Sequence, residues 1–269
     1  MTGSAGLSRV ELRRLFAIAA AGALLVLVPA AKAQHFVGQP TEVSALERIP
    51  PSSRPHGDEI IAKMIDHNRA RSESLQSYSS LREYEIRDSN DRVVARAVVR
   101  VEYRSPGTKS FHRISEEGSW IVRHLVFDRL LQAEEEASSG REHRESSIST
   151  ENYSFNVVGE DNLGTRRCFI VEAQPKKRDS RLFEGRLWID AQDFGIAKIA
   201  GRPAAELSFW ITGARFERQY QRIDGFWLPY HDETLVNVKA HGTKVFRIEH
   251  KQYVINDLSA SAASLTPSH

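Results

Sequence analysis

The sequence predicts an α+β fold that is mainly antiparallel β: one sheet with two or so helices laid against one face. Three observations carry that reading. Residues 182–255 run as short stretches rich in β-branched and aromatic side chains, each closed by turn chemistry such as Asp224-Gly225 or His241-Gly242, which favours hairpin after hairpin over parallel crossovers. Residues 92–104 alternate, with Val93, Ala95, Ala97, Val99, Val101 and Tyr103 on one side and Arg96, Arg100, Glu102 and Arg104 on the other, so one face of the sheet must be dry. Two stretches, 58–77 and 116–137, follow helical spacing instead.

The chain opens with Arg9, Arg13 and Arg14 ahead of an apolar run from Leu15 to Val28, followed by Ala31-Lys32-Ala33. That order is the pattern of a secretory signal peptide spanning 1–33 and cut after Ala33, which predicts a periplasmic protein; an uncleaved membrane anchor is the rival reading. Gln34 follows the cut where a lipid-anchored lipoprotein would carry cysteine, and no later stretch reaches the roughly 18 apolar residues of a span. Any membrane contact of the mature chain is expected to be transient. Removing the segment takes the formal charge from +2 to about −1, so the basic balance belongs partly to export and nucleic acid is not an expected partner. Residues 34–57, with Pro40, Pro50, Pro51, Ser52 and Ser53, read as a flexible leader. Residues 58–257 then form a single domain, and 258–269 a tail.

Asp58 is placed to cap the first helix, Glu59 suits its positive end, and Ile61, Met64, Ile65, Asn68 and Leu75 fall near one face up to about Ser77. Tyr78–Arg87, Arg92–Arg104 and Lys109–Ser115 read as strands. In the second helical stretch Trp120, Ile121, Val122, Leu125, Val126, Phe127, Leu130 and Leu131 spread around most of the wheel, as in a plug resting on a sheet or an ordinary core helix. Residues 137–150 read as a charged surface loop. Glu151–Val158, Arg166–Gln174, Leu182–Asp190, Ile196–Ile199, Ala214–Gln221, Phe226–Glu233, Leu235–Ala240 and Thr243–Ile255 complete the strands.

Reactive chemistry is sparse. No Gly-x-Ser-x-Gly elbow, His-Glu-x-x-His, Cys-x-x-Cys or phosphate-cradling glycine loop occurs, so no cofactor, metal or catalytic residue is expected. Cys168, the single cysteine, sits inside an alternating run as a small buried apolar residue, and no intramolecular disulfide is available. His231-Asp232-Glu233 is the densest candidate for a metal, yet on a strand only His231 and Glu233 share a face. The aromatic group Phe209, Trp210, Phe216, Tyr220, Phe226, Trp227 and Tyr230 serves either as core or as ligand surface.

Particular residue runs resemble a known family. These are Thr150-Glu151-Asn152-Tyr153-Ser154-Phe155, Arg167 to Glu172, Pro175-Lys176, Phe183 to Ala191, Ser208-Phe209-Trp210 and Gly225-Phe226-Trp227-Leu228-Pro229, together with Ile248 and Tyr253. They resemble exported acidobacterial outer-membrane lipoprotein-sorting proteins, a group similar to the periplasmic lipoprotein carriers and to lipid-sensing anti-sigma regulators of the same fold. The resemblance covers roughly residues 58–255. It implies a strongly curved open sheet, a half-barrel whose concave face is covered by helices and encloses an apolar cavity for acyl chains.

The expected function is therefore a non-catalytic exported carrier or binder of lipid or lipoprotein acyl chains. The cavity is expected where Val99, Val101, Tyr103, Leu187, Ile189 and Phe216 of the dry face meet Trp120, Leu125 and Leu130 of the plug. An envelope sensor that uses the same fold to bind a partner protein is the alternative. An enzyme acting on envelope lipid or glycan would need convergent acidic or histidine side chains, which the sequence does not display.

Overall fold

The computed structural model describes residues 56–105, 107–118, 145–207, 211–239 and 242–256. Among these the chain forms one helix and ten strands: α1 (Gly57–Ser74), β1 (Ser77–Arg87), β2 (Val93–Arg104), β3 (Thr108–Gly118), β4 (Tyr153–Leu163), β5 (Arg166–Pro175), β6 (Phe183–Asp190), β7 (Ile196–Pro203), β8 (Ile211–Ile223), β9 (Phe226–Val238) and β10 (Gly242–Ile255).

Helix α1 starts two residues earlier than its capping pattern suggests. His56 occupies the N-cap without a side-chain bond, and Asp58 lies in the first turn beside Glu59, where carboxylates favour the positive end of the helix. Ile60, Met64 and Arg71 are its buried residues, while Ile61 and Ile65 are half-buried, so the apolar stripe is rotated from the predicted one. The helix ends at Ser74, with the Leu75 N–H donating to the Arg71 carbonyl at 3.1 Å.

The ten strands make one open antiparallel sheet in the order β3-β2-β1-β10-β9-β8-β7-β6-β5-β4. Strands 4 to 10 form an unbroken meander, and β1 closes onto β10 from Tyr78 opposite Ile255 to Arg87 opposite Val245. Thus β3 and β4, consecutive in sequence, are the two outer edges. Each edge carries a bulge: Ile114 is the extra residue of β3 and Val158 that of β4, and both are exposed. Bulges twist an edge away from pairing with other chains.

Several sequence expectations are corrected. One complete helix is found among the described residues, where two or so are expected. The second predicted helix is overturned at its start, because Glu116–Gly118 continue β3 and pair with Ala97–Ala95; its remainder, with Trp120, Leu125 and Leu130, lies outside the described residues. The break expected at Thr234 is absent, and β9 runs through it because Thr234 pairs with both Phe216 and Phe246. The last part of the predicted 137–150 loop is anchored: Ser146 is buried, Asn152 Nδ2 donates to the Ser147 carbonyl at 2.9 Å, and Arg181 bridges to Glu145 at 2.5 Å. The Asp224-Gly225 turn is as read, with φ of 44° and 89°, the left-handed pair that a two-residue hairpin loop requires.

Candidate ligand-binding face

Residues directly opposite one another in an antiparallel pair share a face, so the register identifies the dry side of the sheet. It carries two apolar blocks. The first contains Tyr84, Ile86, Ala95, Ala97, Val99, Val101, Tyr103 and Ile248, and takes Leu75 from the end of α1. Tyr78 stacks on Tyr103 within it at 5.1 Å between ring centroids. The second contains Phe169, Val171, Phe183, Leu187, Ile189, Ile199 and Phe216, and takes Ile60 and Met64 from α1.

The predicted cavity residues on described elements are therefore all buried, at 0–9 % exposure. They do not form one group. Val99, Val101 and Tyr103 belong to the first block, whereas Leu187, Ile189 and Phe216 belong to the second. Trp120, Leu125 and Leu130 lie outside the described residues.

A polar seam crosses the dry face between the blocks. Arg218 on β8 stands opposite Asp232 on β9, and Arg82 on β1 stands opposite His250 on β10. All four are buried. Arg218 Nε donates to Asp232 Oδ1 at 2.5 Å, and His250 Nε2 lies 3.0 Å from Asp232 Oδ2. Burial pushes the Asp232 carboxyl up, but the Arg218 guanidinium and the His250 bond outweigh it and hold the group below its ordinary value. Burial also drives the His250 imidazole down to about 4, against the pull of Asp232. At neutral pH His250 is therefore uncharged, with its Nε2–H donating to the Asp232 carboxylate and Nδ1 left as an acceptor. Nδ1 has no hydrogen-bond partner, nor has Oγ of buried Ser80, further along β1. Arg71 joins the seam from α1. Burial lowers it to about 9, and the phenols of Tyr220, Tyr78, Tyr103 and Tyr253 face it. Tyr253 in turn donates to the Pro229 carbonyl at 2.6 Å.

Sequence reasoning missed this seam. A hairpin folded at Asp224-Gly225 without irregularity sets Arg218 opposite His231, and it is the register shift beside Gln219 and Tyr220 that brings Asp232 there instead. The same shift turns Asp232 inward and His231 outward, which separates the suspected metal cluster. His231 bonds Glu249 at 2.6 Å and Glu233 bonds Arg247 at 2.6 Å. Among the described residues no three His, Cys, Asp or Glu side chains are grouped to hold an ion.

The remaining candidates serve the framework. Burial raises the Cys168 thiol to about 11, so it is protonated and inert at neutral pH. The Trp227 indole donates to Asp193 at 3.0 Å, and a Cβ at Gly195 would stand 2.0 Å from its ring, so this turn admits only glycine. Among the described residues no helix is long and apolar enough to cross a membrane.

No protein family matches the chain, and neither does any curated protein. Among solved structures it is similar to a DUF1329 family protein from Desulfovibrio piger, with 14% identity, a TM-score of 0.41, and 75% of this chain and 93% of that one covered. It is also similar to an outer membrane lipoprotein-sorting protein domain from Vibrio parahaemolyticus (13% identity, TM-score 0.40, 73% and 92% covered). A LolA superfamily protein from Nitrosomonas europaea is a third (10% identity, TM-score 0.37, 77% and 97% covered).

Proposed function

We propose that this protein is a non-catalytic binder of a lipid or lipoprotein acyl chain in the cell envelope, and that the chain lies along the block of Val99, Val101 and Tyr103 with its polar head at the seam. The observation that supports this reading is the placement, on one dry sheet face, of an apolar block directly beside buried polar groups, two of which, His250 Nδ1 and Ser80 Oγ, have no hydrogen-bond partner. A buried polar atom without a partner costs about 1–3 kcal/mol, so a ligand head offering a hydrogen-bond donor to Nδ1 relieves a real penalty. An acyl chain gains roughly 0.8 kcal/mol per CH₂ on leaving water for such a surface, which is what a carrier across an aqueous space must supply.

The same chemistry argues against catalysis. Ser80, His250 and Asp232 are residue types of a nucleophile relay, but a base held near 4 has little proton affinity at neutral pH, and the Ser80 hydroxyl bonds nothing. The test is native mass spectrometry of delipidated protein equilibrated with a lysophospholipid. A one-to-one adduct that weakens in Val101→Asp, with Leu187→Ala as a control for general loosening, supports the reading. Absence of any adduct removes it.

A further inference from the structure

A second site lies where the sheet is split. Strands β7 and β8 pair only where Lys198–Gly201 faces Phe216–Gln219. Before Phe216, β8 pairs with β9 alone, and beyond Gly201, β7 pairs with β6 alone. The cause is legible in the register. Carried two residues further, it would set Arg202 opposite Arg215 and Pro203 opposite Ala214. Like charges directly opposed repel, and proline offers no N–H to the ladder. The strands part into a cleft of about 1280 Å³, lined by Arg178, Arg202, Ala204, Gly213, Arg215 and Glu217 among others.

This cleft differs from the two outer edges of the sheet, which bulges guard. Along its wall Gly213–Arg215 keep regular register with Asn237–Leu235 on one side and have no described strand on the other, which leaves a row of backbone groups ready to pair. Its charges are unevenly matched. Glu184, Glu217 and Glu233 are engaged by Arg202, Lys198 and Arg247. Among the described residues, Arg178 and Arg215 form no ion pair, and Lys176 Nζ donates to the Thr150 carbonyl at 2.6 Å, against one unengaged acid, Glu206.

We propose that the β7–β8 cleft takes an extended acidic peptide segment of another protein, which adds a strand to the edge of β8 at Gly213–Arg215 that no described strand covers and sets a carboxylate among Arg215, Arg178 and Lys176. This site is on a different part of the sheet from the lipid face and does not depend on it. Backbone pairing supplies affinity, and the cations select the acidic strand.

The experiment uses the full chain with two short synthetic peptides, one of alternating valine and glutamate and the other of alternating valine and lysine. Binding is read by fluorescence anisotropy and amide protection by hydrogen exchange. The glutamate peptide is expected to bind at least about tenfold more tightly than the lysine peptide and to slow exchange across 211–217 but not along β3 or β4. Arg215→Glu, at an exposed position, is expected to weaken the glutamate peptide by about tenfold with an unchanged thermal midpoint. Equal binding of the two peptides, no binding of either, or protection confined to the outer edges overturns the proposal. Protection of 211–217 that rises with protein concentration in the absence of peptide overturns it too, because the occupant is then a second copy of this chain.

Discussion

The two apolar blocks of the inner face are equally dry yet differently partnered. Around Leu187 and Ile189 the strands meet Ile60 and Met64 of α1, a helix-on-sheet contact of the kind that fixes a core. Around Val99 and Val101 the described partners are other strand residues and Leu75, the residue that ends the helix. Between them runs the Arg218–Asp232–His250 seam, where burial costs free energy rather than supplying it. Under the function proposed above, the difference corresponds to a division of tasks within one sheet, the block under α1 holding the fold and the Val99–Val101 block binding the ligand.

The largest effect that sharpens this contrast comes from the seam. Asp232→Ala leaves the Arg218 guanidinium without its carboxylate in a buried site, which is expected to cost about 3–5 kcal/mol in urea unfolding. An effect under about 1 kcal/mol would mean that water reaches the seam. Next is Leu187→Ala in the helix-covered block, expected to cost about 2–5 kcal/mol while leaving lysophospholipid uptake unchanged. Loss of uptake in that variant would merge the two tasks into one.

Acidification acts on the seam in one direction. His250 has a folded value depressed to about 4 from 6.5, so its contribution is fully present above 6.5 and is lost as the pH falls toward 4, up to about 3 kcal/mol in all. Asp232, also depressed, adds a further loss below the ordinary carboxylate range. The melting temperature should therefore fall between pH 6.5 and 4, and His250→Gln should flatten that limb. A variant with the same slope as the parent would show that other groups carry it. The smallest effect is expected on the solvent side: Arg186→Ala removes an exposed pair with Glu172 and should change stability by no more than about 0.5 kcal/mol.

Much of the fold was legible because local pattern and tertiary environment agree. The alternation of Val93 to Tyr103 is the buried face of β2 from Ala95 onward, and Asp224-Gly225 makes its hairpin. The sequence points to Ile61 where the structure buries Ile60, a difference of one position that rotates a weak face. Polar residues misled more. Thr234, after the polar run His231-Asp232-Glu233, reads as a break between two strands, although β9 passes straight through it, with Asp232 bonded to Arg218 and His250 on the flanking strands. Pro229, the neighbour of the extra residue Tyr230, signals an edge or a bulge but not which of the two, so the seam stayed hidden while the apolar blocks did not. The split between β7 and β8 was hidden for a similar reason. Arg202 and Arg215 become neighbours only once the pairing of Gly201 with Phe216 is known.

In the proposed function an acyl chain shares the Val101 side of the sheet with the seam. The most direct check is native mass spectrometry of the delipidated chain with lysophospholipid, comparing the parent with Val101→Asp and His250→Phe. A one-to-one adduct in the parent that is weakened in both variants is the predicted result; an adduct equally strong in all three, or none in the parent, would contradict it.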